Sequence, residues 1–211
     1  MDDEVVDDAS AAVRALKEMG YGKVFVLGHS LGGMLAPYIA QQCGEMCDGF
    51  VSLAGSPRTI TDILADQLWA KYRQLPDAET YRAYIDEELA KAESLATMTD
   101  DERSSVTVFG QSGCYIWSLN SIDGISIAES LDIPMLFLQG SADFQVYADI
   151  DFAAWRSALS DDEDAAFILY DGLNHLFIDS EGPYAGTSAE YNGHGTVYRK
   201  VVDDIAEFIR G

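Results

Sequence analysis

The stretch from Lys23 to Gly33 constrains this chain more than any other. Val24, Phe25, Val26 and Leu27 form an unbroken apolar run, which reads as a parallel strand buried on both faces. It leads into Gly28-His29-Ser30-Leu31-Gly32, a G-x-S-x-G pentapeptide, and then into Leu31, Met34, Leu35, Tyr38 and Ile39 at helical spacing. Strand, sharp turn and helix in that order are the context of a nucleophile elbow. Gly28 and Gly32 are expected to clear room for a strained turn that pushes the Ser30 hydroxyl outward. The helix start beneath it offers unpaired N–H groups and the positive end of a dipole. A glycine-rich turn carrying a surface serine is the plain alternative for the pentapeptide taken alone.

Composition narrows the class. Asp and Glu number 36 against 13 Lys and Arg, a net charge of −23. A surface so acidic argues against nucleic acid or an anionic membrane as partner. It reads first as a solubilising surface, with adaptation to high salt as the lesser reading. Hydrophobic residues make up 48% of the 211, enough for a substantial core, and no apolar run has membrane-spanning length. Cys43, Cys47 and Cys114 make no disulfide framework; Cys43 and Cys47, four apart, read as free thiols rather than a bridge or a metal pair. The opening Met-Asp-Asp-Glu is too acidic for a signal peptide, so a cytoplasmic address is expected unless the natural start lies upstream.

Along the chain, residues 4–19 read as an amphipathic helix with acidic residues at its start and Gly20 at its stop. Residues 49–55 form a second buried strand, 133–140 a third and 165–170 a fourth. A helix follows the third strand over 152–159, and an amphipathic helix closes the chain over 196–210. Strands alternating with helices predict an α/β fold: a mostly parallel sheet of about four strands with flanking helices. Residues 56–132 break the alternation, with helices near 60–75 and 78–97 and an aromatic, glycine-bearing stretch at 108–117. This insertion into an otherwise single core of 1–211 sits where a helical lid or cap would. Tyr115, Trp117 and Phe109 are candidates to line an acyl or alcohol pocket, with aromatic packing of the lid against the sheet as the favoured alternative.

A serine hydroxyl needs a base within reach, itself oriented by a third group. Of three histidines, His29 lies within the elbow, its side chain expected to point elsewhere. His194 falls in a loop before the last helix, with a surface or capping role. His175, in Gly172-Leu-Asn-His175 just past the fourth strand, stands where a base must stand, at the carboxyl edge of the sheet. The acid should follow another strand, and Asp143 follows the third. Asp171 is nearer His175 in sequence only, and Asp149 and Asp151 read as helix-opening residues. No His, Cys or carboxylate cluster has metal-ligand spacing, and no cofactor is implied.

With those motifs in place, the chain resembles the α/β-hydrolase superfamily throughout, but only the second half of that fold. Gly28-His-Ser-Leu-Gly-Gly33, Leu138-Gln-Gly-Ser-Ala-Asp-Phe-Gln-Val146 and Leu173-Asn-His-Leu-Phe177 look like motifs of bacterial esterases of the dienelactone hydrolase and serine aminopeptidase groups. Glu190-Tyr-Asn-Gly-His194 before the last helix is similar too. The order Ser30, Asp143, His175 is the order of that superfamily. The resemblance implies acyl transfer on a small-molecule ester. Ser30 would attack, His175 move the proton, Asp143 hold the imidazolium and the Leu31 N–H supply one oxyanion donor. The second donor would come from a loop that precedes residue 1. Two other readings stay open: a non-catalytic fragment needing a complementing segment, and an amide or thioester hydrolase using the same three residues.

Handedness of parallel crossovers adds a structural expectation. Right-handed connections between strands lying in chain order leave the far end of one sheet face, around Val24–Leu27, poorly covered. Val24–Leu27 is therefore expected as an edge strand with unpaired backbone groups. Aggregation, homodimerisation through that edge, or weak activity restored by an upstream segment are the expected consequences.

Overall fold

The computed structural model describes residues 5–193 and 195–211, and these form two compact units. The first, built from residues 5–57 and 124–211, is a four-stranded sheet with helices. Its strands are Val26–His29 (β1), Phe50–Leu53 (β2), Met135–Gly140 (β5) and Ala165–Tyr170 (β6), all parallel and lying side by side in that order. The helices of this unit are Asp7–Glu18 (α1), Leu31–Cys43 (α2), Gly124–Glu129 (α7), Ala153–Ala158 (α8) and Arg199–Arg210 (α9).

The period of two along each strand builds two faces. Val51, Leu53, Leu136, Leu138 and Tyr170 share one, where Leu173, Phe177 and Val201 of α9 complete a buried cluster. On the other face Phe50, Phe137 and Phe167 meet ring to ring, and Trp155 of α8 lies 4.8 Å from Phe137. The Trp155 indole N–H is satisfied by the Gly55 carbonyl at 3.0 Å. β5 is buried at every position, as a central parallel strand should be.

β1 differs from the expectation in two respects. Its ladder starts at Val26 rather than Val24, because Asp48 intervenes: its Oδ2 accepts from Val24 N–H at 2.6 Å and its own N–H donates to Val24 O at 2.9 Å. β1 is also not buried on both faces. As the handedness argument expected, it is the edge strand, paired among the described residues with β2 alone, and Leu27 is 52% exposed. Phe208 of α9 reaches Phe25, just ahead of β1, with ring centres 5.8 Å apart, while Leu27 two residues on stays half-exposed. Lys17 of α1 holds the same Asp48 at 2.6 Å. Burial pulls the Asp48 carboxyl upward, but the Lys17 bond and the Val24 N–H outweigh it and leave it below the ordinary carboxylate value.

In α2 a proline sits one turn in, and its compensation is visible. Pro37 has no N–H to give the carbonyl of Gly33, four residues before it. The buried Ser52 of β2 supplies the missing donor, its hydroxyl reaching Gly33 O at 2.9 Å. Asp151, read from sequence as a helix-opening residue, lies in the π-helical turn Ala148–Phe152 that leads into α8, and it is fully buried there. It accepts from the Ser56 hydroxyl at 2.5 Å and from Tyr147 N–H at 2.7 Å, tying the ends of β2 and β5 together.

The second unit, residues 58–123, carries Ile60–Tyr72 (α3), Ala78–Ser94 (α4), Asp100–Ser104 (α5), a hairpin of Thr107–Val108 (β3) and Gln111–Ser112 (β4), and Gly113–Asn120 (α6). Ala92, Leu95, Val108 and Ile116 form its core. Thr99 and Glu102 close a capping box at the start of α5. Glu88, buried on α4, accepts the Phe109 N–H and pairs with Lys91 at 2.7 Å. That holds the hairpin turn, where Phe109 and Gly110 both take positive φ.

Candidate active site

The sheet unit gathers its strained backbone at one edge. Ser30, Ala54 and Phe177, non-glycine residues at φ values of 56°, 48° and 56°, follow β1, β2 and β6 at their carboxyl ends. Such conformations cost energy and persist where surrounding structure enforces them, which marks the edge for chemistry.

Ser30 stands at the junction of β1 and α2, with φ 56° and ψ −117°. Its N–H is fixed to Leu53 O at 2.8 Å, and its carbonyl receives the N–H of Met34 at 2.9 Å. A Cβ on Gly28 would fall 2.0 Å from Gly32 O, so only glycine permits the turn to fold back on itself. The second indispensable glycine is Gly33 rather than Gly32. A Cβ on Gly33 would lie 2.9 Å from Leu53 O, whereas one on Gly32 meets nothing within 4 Å. Ser30 is half-buried, and the N–H of Leu31, first residue of the helix, has no intrahelical acceptor.

The loops after β5 and β6 are laced together. Ser141 Oγ receives Gly172 N–H at 2.9 Å and donates to Asp171 Oδ1 at 3.1 Å, while Ala142 N–H bonds Leu173 O at 2.9 Å. Asp171 is thereby spent on the loop. Asn174, buried, turns its side-chain oxygen onto the N–H groups of Leu176 and Ile178, which closes the chain tightly around His175. Tyr198 N–H bonds Phe177 O at 2.8 Å just before α9, pinning that loop from beyond.

These loops bring His175 and Asp143 together. His175 Nδ1 lies 2.8 Å from Asp143 Oδ2, with both residues buried. An ionised carboxylate can only accept, so Nδ1 carries the proton and Nε2 is left as the acceptor. Asp143 is held by three further donors: Gln145 N–H at 2.8 Å and Val146 N–H at 3.0 Å on Oδ1, and Gln139 Nε2 at 2.8 Å on Oδ2.

His29 is the residue that sequence reasoning missed. Its Nε2 reaches the backbone oxygen of His175 at 2.7 Å, and the two rings lie 4.7 Å apart between centroids. A carbonyl oxygen only accepts, so His29 Nε2 donates, and the residue preceding Ser30 thereby fastens the His175 loop to the elbow strand. Burial of the His29 imidazole depresses its pKa, the bond to His175 O opposing and the neighbouring His175 ring adding to that effect. The available signal was the alternation in β1, which puts residues 27 and 29 on the face shared with Phe177. Among the described residues no hydrogen bond joins the Ser30 hydroxyl to the His175 ring; such bonds are often long before substrate arrives.

Tyr115 and Trp117 belong to α6 of the helical unit. Trp117 packs against that unit's core, with the Arg103 guanidinium 4.3 Å from its ring centre. His194 lies outside the described residues. Cys43, Cys47 and Cys114 are free thiols. Among the described residues no group of His, Cys, Asp and Glu is arranged to hold a metal ion, and no helix is long and apolar enough to cross a membrane.

Comparison with known proteins bears on the family and the fold. Esterase EstD of Thermotoga maritima is 37% identical over 209 residues, covering 98% of this chain and 47% of that protein; the chain thus spans about half the length of this curated relative. Among solved structures, Porphyromonas gingivalis dipeptidyl peptidase 4 aligns with a TM-score of 0.53 at 15% identity, over 97% of this chain and 22% of that one. A thermophilic esterase aligns with a TM-score of 0.51 at 16% identity, over 97% and 73%. At such identities the structural matches speak for the fold alone. The family profile described as "Alpha/beta hydrolase family" matches residues 1–187, and the chain belongs to that family.

Proposed function

We propose that this chain carries the nucleophile, acid and base of a serine hydrolase acting on carboxylic esters. The observation that carries the reading is the buried 2.8 Å bond between His175 Nδ1 and Asp143 Oδ2 at the sheet edge where the strained Ser30 also stands. The 37% identity to a protein named an esterase supports ester as the substrate class.

In this scheme the Ser30 hydroxyl gives its proton to His175 Nε2 as its oxygen attacks the acyl carbon. The carbonyl oxygen gathers negative charge beside the Leu31 N–H, which the helix dipole reinforces. His175 returns the proton to the leaving alcohol as the C–O bond breaks, leaving an acyl-Ser30 ester. Water then repeats the sequence, releasing the acid. Asp143 keeps Nδ1 protonated throughout and stabilises the imidazolium, and its four donors keep it from swinging away.

The test is covalent. A fluorophosphonate reacts with an activated serine, and Ser30→Ala is expected to abolish labelling, whereas Ser112→Ala and Ser141→Ala leave it intact. Competition among an ester, a thioester and an amide of the same acyl group identifies the substrate class; protection by the ester is expected. Labelling that survives Ser30→Ala contradicts the reading.

A further inference from the structure

Gln139 is a buried polar residue that the scheme above does not use. It lies near the end of β5, 1% exposed, and its side-chain nitrogen has three partners: Asp143 Oδ2 at 2.8 Å, Val146 O at 3.1 Å and Gly140 O at 3.4 Å. All three are acceptors only, so the orientation of the amide is forced: nitrogen, not oxygen, faces Asp143. The oxygen it meets is the one that accepts from His175 Nδ1, also at 2.8 Å. Gln139 and His175 therefore share a single carboxylate oxygen, while the other oxygen is taken by the Gln145 and Val146 N–H groups.

We propose that Gln139 is a positioning residue for the Ser30, His175, Asp143 reaction, setting both the direction and the strength of the Asp143–His175 bond. The inference rests on the serine hydrolase reading given above. Direction follows from geometry: bonded at once to Val146 O and Asp143 Oδ2, the amide braces the turn that carries Asp143 against the strand from which it departs. Strength follows from competition. A second donor on Oδ2 withdraws electron density that would otherwise be concentrated on the His175 N–H, so the carboxylate favours the imidazolium less than a singly bonded one would. Other ionisable groups facing this pair are His29, whose ring lies 4.7 Å from that of His175, and Tyr191, which senses the Asp143 charge and accepts from Gln145 Nε2 at 2.8 Å. Neither donates to Oδ2.

The experiment compares the wild type with Gln139→Met, which fills similar volume without a donor, and Gln139→Glu, which donates only while protonated. Two readouts are used: the pH dependence of fluorophosphonate labelling, and the NMR signal of the proton in the His175–Asp143 bond. In Gln139→Met the acid limb of labelling is expected to move up by about half a pH unit or more, and the bridging proton to move downfield. In Gln139→Glu a new loss of labelling is expected on the alkaline side, as the introduced acid ionises against Asp143. A residue that only fills space would lower labelling in both variants at every pH without moving either limb or the proton signal; that result overturns the proposal. If one variant fails to fold, the other still decides, because each predicts a displacement of opposite kind. Labelling that persists in Ser30→Ala defeats the underlying reading instead, and so is separable from failure at Gln139.

Discussion

At Asp143 four hydrogen bonds converge on one side chain, two on each oxygen. A carboxylate so held cannot rotate without breaking several bonds, and the tautomer of His175 is fixed as a consequence. Asp143→Asn keeps the shape but presents an NH2 group where an acceptor is required, either to His175 or to the Gln145 and Val146 N–H groups. Fluorophosphonate labelling, read as a second-order rate, is expected to fall by about three to four orders of magnitude, less than the loss in His175→Ala. A fall below about tenfold would show that Asp143 does not orient the base. His29 fixes the backbone of the same histidine, so the ring and the main chain of His175 are held by different segments.

Among the elements, α2 shows how a local defect is absorbed by a neighbour. Pro37 leaves Gly33 O without its helix partner, and Ser52 of β2 fills the gap from the adjoining strand. Ser52→Ala is expected to cost about 1–3 kcal/mol in urea denaturation, since it strands a buried carbonyl. In a Pro37→Ala background, where the helix regains its N–H, that cost should shrink; an unchanged cost would separate Ser52 from the proline. How far such elements were legible in sequence depends on what each signal reports. The alternation of strands and helices gave the four strands and their parallel class, because burial of both faces of β5 leaves a long apolar run. The positions of His175 and Asp143 after β6 and β5 were legible because loops there can only emerge at one edge. The burial of Asp151, the donor role of His29 and the work of Gly33 were not, since each depends on a contact between segments distant in sequence. The apolar run at Val24–Leu27 misled about burial for a simple reason: hydrophobicity records that a surface is suited to being covered, not that it is.

For the whole molecule, that run has the larger consequence. Among the described residues β1 ends the sheet, its even-numbered residues turned to β2, as Val26 N–H on Gly49 O at 3.1 Å and Ser30 N–H on Leu53 O at 2.8 Å show. The N–H of Leu27 therefore points along the free edge, beside a half-exposed apolar side chain. We propose that a second copy of the chain pairs there, against the repulsion of a net charge of −23 on each. Self-association in sedimentation velocity should rise as salt screens that charge, and Leu27→Pro, which removes the edge donor but no β1–β2 bond, should suppress it. Association unchanged in a folded Leu27→Pro variant would place the contact elsewhere.

The central claim, that Ser30 is an activated nucleophile, is most directly tested by mass mapping after fluorophosphonate treatment. One adduct is predicted, on the peptide bearing Gly28-His29-Ser30-Leu31-Gly32, formed in the wild type and lost both in Ser30→Ala and in His175→Ala. An adduct on any other serine, or an unmodified Ser30 beside a labelled neighbour, would contradict it.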